Sequence, residues 1–301
     1  PELCDIPWEY LYDGSLNRFL VLSKETPLVR FLEMPDAPRP LTVKPPLRVL
    51  VMISSPSDFP QLDTEKEWQR LNDALADLQA QRTVSLERLK GGSLAALQNR
   101  LTRGKYHVFH FIGHGGFVES AQDGALLMED ERGRGRPVSG QDLGTMLCDH
   151  RSLRLVLLNA CEGARSSSSD PFAGTAQSIV QQGIPAVIAM QFEISDDAAI
   201  IFSHEFYDTI GQRFPVDAAL TEARRAIFAS RGDLEWGTPV LYMRSPDGRI
   251  FDIAAAPETP AQPPASAPVA PAGPEPAPQA ATQPGKQPTR MGSTVLDKVR
   301  K

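Results

Sequence analysis

Three of the chain's five histidines fall in the stretch KYHVFHFIGHGGF, at His107, His110 and His114. The last of them is framed by Gly113, Gly115 and Gly116. A thiol, Cys161, follows further along in LLNACEGA. Imidazole and thiol are the working parts of nucleophilic catalysis, in which the thiolate attacks and a nearby imidazole lowers its pKa or takes its proton. Clustered histidines can instead hold a metal ion, and a lone cysteine is often no more than a buried core thiol. Which chemistry is open to these residues depends on the elements that carry them.

Strand-like and helix-like segments alternate through most of the chain. LRVLVMISS, YHVFHFI, LRLVLLNA and IPAVIAMQF are short apolar runs bounded by turn residues, the pattern of strands buried on both faces. TVSLERL is a shorter, alternating strand. Between them lie helical patterns over Thr64–Gln81, from the cap Ser93 to Gly104, from Ser139 to about His150, and over Pro171–Gln182. Two more follow, Asp196–Gln212 and Pro215–Ser230, before a last apolar piece, GTPVLYM. GALLMEDERGRGRPVSG has the form of a hairpin with a Gly-rich turn. Ahead of Leu47, an Asp13-Gly14 turn between apolar runs predicts another hairpin, and PLVRFLEM an edge strand. This order of elements predicts a mainly parallel sheet between two layers of helices.

Strand geometry separates the histidines. Four residues along a strand, His110 and His114 stand roughly 13 Å apart, too far to share one ion, so a metal site is not expected. His110 is expected to be a buried strand histidine bonded to a neighbour, and His107 an incidental residue near the opposite end. A phosphate loop is not supported, because GHGGF lacks both the Lys-Ser/Thr ending and the Gly-x-Gly-x-x-Gly spacing. RSSSSD (Arg165–Asp170) lacks the frame of a serine hydrolase elbow and is expected to be a loop, and the basic RGRGR a hairpin tip. Asp142 and Glu162 are expected at the surface or as caps.

In open α/β sheets, sites form where strands end and loops leave for helices. His114 and Cys161 each stand at such an end. If their strands are neighbours, the two side chains meet at one sheet edge as base and nucleophile. The amide of Gly115 (or Gly116) and that of Cys161 can then form an oxyanion hole.

Composition narrows the classes. With 301 residues and 41% hydrophobic content, the chain can bury one large core or two modest ones. A net charge of −6 without long single-sign runs gives no nucleic-acid footprint. No apolar run is long enough to span a membrane. Three cysteines (Cys4, Cys148, Cys161) are too few for a disulfide framework, which favours a reducing, cytoplasmic setting. The opening Pro1-Glu2-Leu3, with neither a methionine nor a signal region, is expected to mark a piece of a longer protein. The expected organisation is an N-terminal hairpin and edge-strand part over residues 1–45 and a catalytic domain over 46–253. An Ala/Pro-rich linker follows over 254–290, and a short capped segment over 291–301 begins something further.

His114 precedes Cys161 by about 47 residues, close to the roughly 50 that separate the histidine of caspases from their Ala-Cys-x-Gly element. That element stands here as Ala160-Cys161-Glu162-Gly163. With IPWEYLYD, RVLVMISSPSD, HFIGHG, LLNACEGA, GIPAVIAMQFEISDDAA, FYDTI, ALTEARRAI and WGTPVLY in order, the chain from Glu2 to Phe251 resembles the CHAT domains. These are caspase-like cysteine peptidases related to separase and found mostly in bacteria. The resemblance implies a caspase-like three-layer α/β sandwich with a His114–Cys161 dyad, no cofactor, and a protein or peptide substrate. It also implies a regulated bacterial signalling or defence role under a fused or associated sensor domain. By likeness to separase, Asp196, with Asp197 and Glu193 beside it, lines the pocket for the side chain before the scissile bond and selects Arg or Lys. An acidic Ser-Asp-Asp start to a helix serves equally as a cap. The competing reading is a caspase-like module kept for protein interaction with catalysis weak or lost.

Overall fold

The computed structural model describes residues 6–118, 123–160 and 171–254. By packing, the chain divides into two units, Pro1–Pro257 and Glu258–Lys301, of which the second lies outside the described residues. The Ala/Pro-rich segment and the short capped segment after it therefore lie outside them as well.

A small hairpin, β1 (Tyr12–Asp13) and β2 (Arg18–Phe19), opens the fold, followed by β3 (Arg30–Phe31) and β4 (Leu41–Val43). The α/β core starts with β5 (Leu47–Ile53), α1 (Thr64–Ala74), α2 (Ala76–Ala80), β6 (Val84–Arg88), α3 (Leu94–Arg103) and β7 (Val108–Gly113). Three strands and a helix come next: β8 (Gly115–Val118), β9 (Asp123–Glu129), β10 (Gly135–Ser139) and α4 (Gly140–Leu147). The fold closes with β11 (Leu155–Ala160), α5 (Pro171–Gln181), β12 (Ala186–Met190), α6 (Asp196–Gly211), α7 (Val216–Arg231), β13 (Pro239–Met243) and β14 (Phe251–Ile253).

Seven strands form the main sheet in the order β3-β13-β12-β11-β7-β5-β6. From β12 to β6 every pairing is parallel, and β13 enters antiparallel to β12. The period of two along each strand assigns the layers. Val49 and Val51, Val108 and Ile112, Leu155 and Leu157 face one core, which α1, α2, α6 and α7 complete through Leu71, Leu78, Phe202, Phe206 and Leu220. Leu50 and Met52, Phe109 and Phe111, Val156 and Leu158 face the other, closed by Leu97 of α3, Leu143 of α4 and Phe172 of α5. The predicted mainly parallel sheet between helices is what the chain forms.

Capping chemistry sets several helix starts. Asp63, Ser93, Ser139 and Ser195 each accept a hydrogen bond from the amide three residues on, satisfying a donor the helix cannot. Two local features differ from the sequence reading. The helix expected over Thr64–Gln81 is interrupted at Leu75, whose φ of −109° and ψ of 12° break the helical run while its side chain stays fully buried. Gly115 and Gly116, expected just past a strand end, begin β8, which pairs with β9 and turns the predicted hairpin into a three-stranded sheet. β8 is only four residues long and starts on two glycines, so its hydrophobic pattern is too short to read as a strand. The expected edge strand is present as β3, though only two residues of it pair with β13.

Candidate active site

Adjacent parallel strands in register carry both candidate residues. β7 and β11 are aligned from Val108 opposite Leu155 to Gly113 opposite Ala160. His114 is the residue after Gly113, and Cys161 the residue after Ala160. Cys161 itself, with Glu162 and the Arg165–Asp170 stretch, lies outside the described residues. The two strand ends are bound at the same carboxyl edge of the sheet.

His114 is 1% exposed and its ring is aimed by a carbonyl, with Nε2 2.7 Å from the oxygen of Pro60. A carbonyl only accepts, so Nε2 carries the proton. Nδ1 is buried and has no partner among the described residues. Its lone pair is therefore the open proton acceptor of the ring. The main chain at His114 is fixed as well, since its carbonyl accepts from the Leu127 amide at 3.0 Å. Gly113 is needed for this close passage, because a Cβ there would lie 2.7 Å from the Phe111 ring and 3.1 Å from the Ser54 carbonyl.

The β8–β9 ladder distinguishes the two glycine amides. In an antiparallel pair, hydrogen-bonded and non-bonded residue pairs alternate. The Leu127 amide donates to the His114 carbonyl, which marks these two as a bonded pair, so Gly115 opposite Leu126 is a non-bonded pair and Gly116 opposite Ala125 a bonded one. The Gly115 amide points away from β9, whereas that of Gly116 is taken into the ladder. The sheet bearing them is tied to the end of β5: the Ser54 hydroxyl donates to the Leu127 carbonyl at 2.8 Å. The Glu129 carboxylate accepts from the amides of Ser55 and Gly92 at 3.1 and 3.2 Å.

The other histidines are apart from this centre. His110 is 1% exposed, its Nδ1 lies 3.2 Å from the Tyr207 hydroxyl, and burial pushes its pKa down to about 3. It is the bonded strand histidine expected from sequence. His107, at the opposite end of β7, accepts from the Arg48 amide on Nδ1 at 2.9 Å. Burial first, and the nearby Arg48 charge second, bring its pKa down to about 4. No group of three or more His, Cys, Asp or Glu among the described residues could hold a metal ion.

Asp196 opens α6 behind its cap Ser195, which is itself held by Glu235 through its amide at 3.0 Å and its hydroxyl at 2.7 Å. The Asp196 carboxylate meets the guanidinium of Arg70, Oδ2 to Nη2, at 2.5 Å. Arg70 in turn pairs with Glu67, one helical turn earlier, at 3.1 Å. Glu193 and Asp197 are exposed. Behind the Arg70–Asp196 pair is a cavity of about 30 Å³ whose walls include His110, Asn159 and Ser203. Arg70, Asn159 and the Pro60 carbonyl escaped the sequence reading. A Glu67–Arg70 spacing on α1 hints at a paired face, but nothing in the sequence points across to Asp196.

A buried ion pair anchors the loop leading into α6. Glu9 is fully buried and pairs with Arg30 at 3.3 Å, and the Gln191 side chain donates to Glu9 at 3.1 Å and to the Gly237 carbonyl at 2.8 Å.

A family model described as CHAT domain matches residues 1–264. Comparison with curated proteins gives no match. Among solved structures, the chain is similar to the complex of Porphyromonas gingivalis RgpB pro- and mature domains, at 10% identity and a TM-score of 0.44, over 69% of this chain and 48% of that one. It is similar to the Saccharomyces cerevisiae separase–securin complex at 17% identity and a TM-score of 0.40, over 68% of this chain and 12% of that one. For the Drosophila initiator caspase Dronc the values are 11% and 0.40, over 76% and 96%. The chain thus spans less than half the length of the first two.

Proposed function

The chain belongs to the CHAT-domain family, and from that premise we propose that it is a cysteine endopeptidase working through His114 and Cys161. One observation carries the reading. The His114 ring is fixed by Pro60 through Nε2 and keeps Nδ1 open, at the end of a strand in register with the strand that delivers Cys161.

In the proposed reaction, Nδ1 of His114 takes the thiol proton as Cys161 Sγ attacks the scissile carbonyl carbon. The resulting imidazolium keeps its Nε2–H on the Pro60 carbonyl, which stabilises the charged ring. The amides of Gly115 and Cys161 receive the oxyanion. The C–N bond then breaks, the amine leaves with the proton from Nδ1, and a thioester to Cys161 remains. Water, deprotonated by the same Nδ1, attacks the thioester carbonyl; the C–S bond breaks, the acid product leaves, and Nδ1 returns the proton to Sγ. Protein substrates, a cytoplasmic setting and control by an associated sensor domain belong to this proposal, supported by the motifs that run from Glu2 to Phe251.

The test is labelling with an electrophilic peptide followed by mass spectrometry, paired with cleavage-site profiling. Cys161 is expected to react well ahead of the exposed thiol Cys148. His114→Ala is expected to remove that advantage, and His114→Ala and Cys161→Ala each to abolish cleavage in a folded chain. Equal reactivity of Cys161 and Cys148, with no peptide cut under any activation condition, would leave an interaction module as the better account.

A further inference from the structure

The cavity between β7, β11, α1 and α6 has unmet polar atoms on its floor. Nε2 of His110 and Oδ1 of Asn159 line it, are buried, and have no hydrogen-bond partner among the described residues. Tyr207 has no other acceptor among the described residues, so its hydroxyl donates to Nδ1 of His110 and the ring proton sits on Nε2. The floor therefore offers one donor and one acceptor. Buried polar atoms of this kind belong opposite a ligand's polar tip or an ordered water. Position also suits a substrate pocket: Asn159 stands two residues before Cys161, and Ile112, which also lines the cavity, two before His114.

At the rim, Asp196 has the chemistry to recognise a basic side chain, because a carboxylate and a guanidinium pair strongly. Here the chain supplies its own guanidinium. Arg70 holds Asp196 at 2.5 Å and is itself braced by Glu67 at 3.1 Å. A Lys or Arg side chain entering the pocket must displace Arg70 or bring a second cation against it. An uncharged side chain meets neither obstacle. Built-in repulsion of the wrong partner is a common source of specificity.

We propose that Arg70 is a specificity-determining residue, which neutralises Asp196 so that the pocket accepts a small uncharged side chain before the scissile bond and refuses Lys and Arg. The substrate part of this inference rests on the endopeptidase reading; the charge of the pocket does not.

Two measurements test it on the full chain. Cleavage-site profiling compares the wild type with Arg70→Met, which keeps an apolar stem and removes the charge, and with Arg70→Met combined with Asp196→Asn. Wild type is expected to cut after uncharged residues. Arg70→Met is expected to raise the ratio of basic to uncharged cleavage by about tenfold or more, and the double variant to lose that gain. A wild-type preference for Lys or Arg, or a ratio unmoved by Arg70→Met, overturns the proposal. The second measurement follows benzamidine binding by NMR in a Cys161→Ala background, where no catalysis is needed. Binding is expected in Arg70→Met and not in the parent or the Asp196→Asn double variant. Equal binding by parent and Arg70→Met overturns the proposal even if no peptide is ever cut. The expected binding pattern without any cleavage upholds the pocket and removes only the endopeptidase reading.

Discussion

His110 makes the chain sensitive to mild acid in a way that can be calculated. Its ring is 1% exposed and held neutral in the folded state, with a pKa near 3 caused by burial, against about 6.5 in an unfolded chain. Between those values the unfolded state binds a proton that the folded state refuses. Stability therefore rises with pH through this window, is fully present above about pH 6.5, and is lost as pH falls toward 3. At pH 5 the unfolded imidazole is almost wholly protonated and the folded one almost wholly neutral. Linkage then gives a loss of about 2 kcal/mol relative to pH 7 from this residue alone. The perturbation is His110→Gln, whose side-chain oxygen can still accept from Tyr207. Urea unfolding of both proteins at pH 7 and pH 5 gives two differences, and the wild-type difference is expected to exceed that of the variant by about 2 kcal/mol. Because each protein is its own reference, any packing cost of the substitution cancels. Carboxylates and the remaining histidines contribute to both and cancel too. Equal losses in the two proteins would refute the assignment of a neutral, buried ring at His110.

Three other perturbations follow from the packing. Glu9→Ala removes one partner of the buried pair with Arg30 and a bond from Gln191; a cost of about 3 kcal/mol is expected, read as a fall in Tm of roughly 6–12 °C. Gly113→Ala places a methyl group against the Phe111 ring and the Ser54 carbonyl, and a loss of about 1–3 kcal/mol in chemical denaturation is expected from overpacking. Ser139→Ala deletes the cap of α4, where the Ser139 hydroxyl accepts from the Asp142 amide and donates to its carboxylate; about 1 kcal/mol should be lost by the same assay.

What could be seen in the sequence followed from burial. Strands β5, β7, β11 and β12 are hydrophobic on both faces because helices cover both, and a run such as LRLVLLNA declares that directly. Strand geometry alone was enough to part His107, His110 and His114. The interactions that shape the candidate site left weaker traces. Arg70 and Asp196 are far apart in the chain and meet only because α1 and α6 pack on the same face of the sheet. Pro60 aims His114 through a carbonyl, which every residue type possesses. Glu9, set between Trp8 and Tyr10, looks like an ordinary surface carboxylate until Arg30 and Gln191 close over it. β8 opens on two glycines, and a strand that begins Gly-Gly is hard to tell from a turn by side-chain pattern.

The placement of β3 and β4 has a consequence for the order of assembly during synthesis. β3 pairs with Tyr242 and Met243 of β13, and β4 with β14, the last strand described. The segments that carry β3 and β4, made before the strands of the parallel core, therefore find their partners only after β13 and β14 are made, and contacts between such distant segments are slow to form. Until β13 is made, Glu9 has no sheet edge to settle against, and the loop that carries Gln191 and leads into α6 lacks its anchor. A nascent or truncated chain can close the parallel strands that bear His114 and Cys161 before the neighbouring loop is locked. The loop beside the candidate pocket is anchored only once synthesis has passed β13.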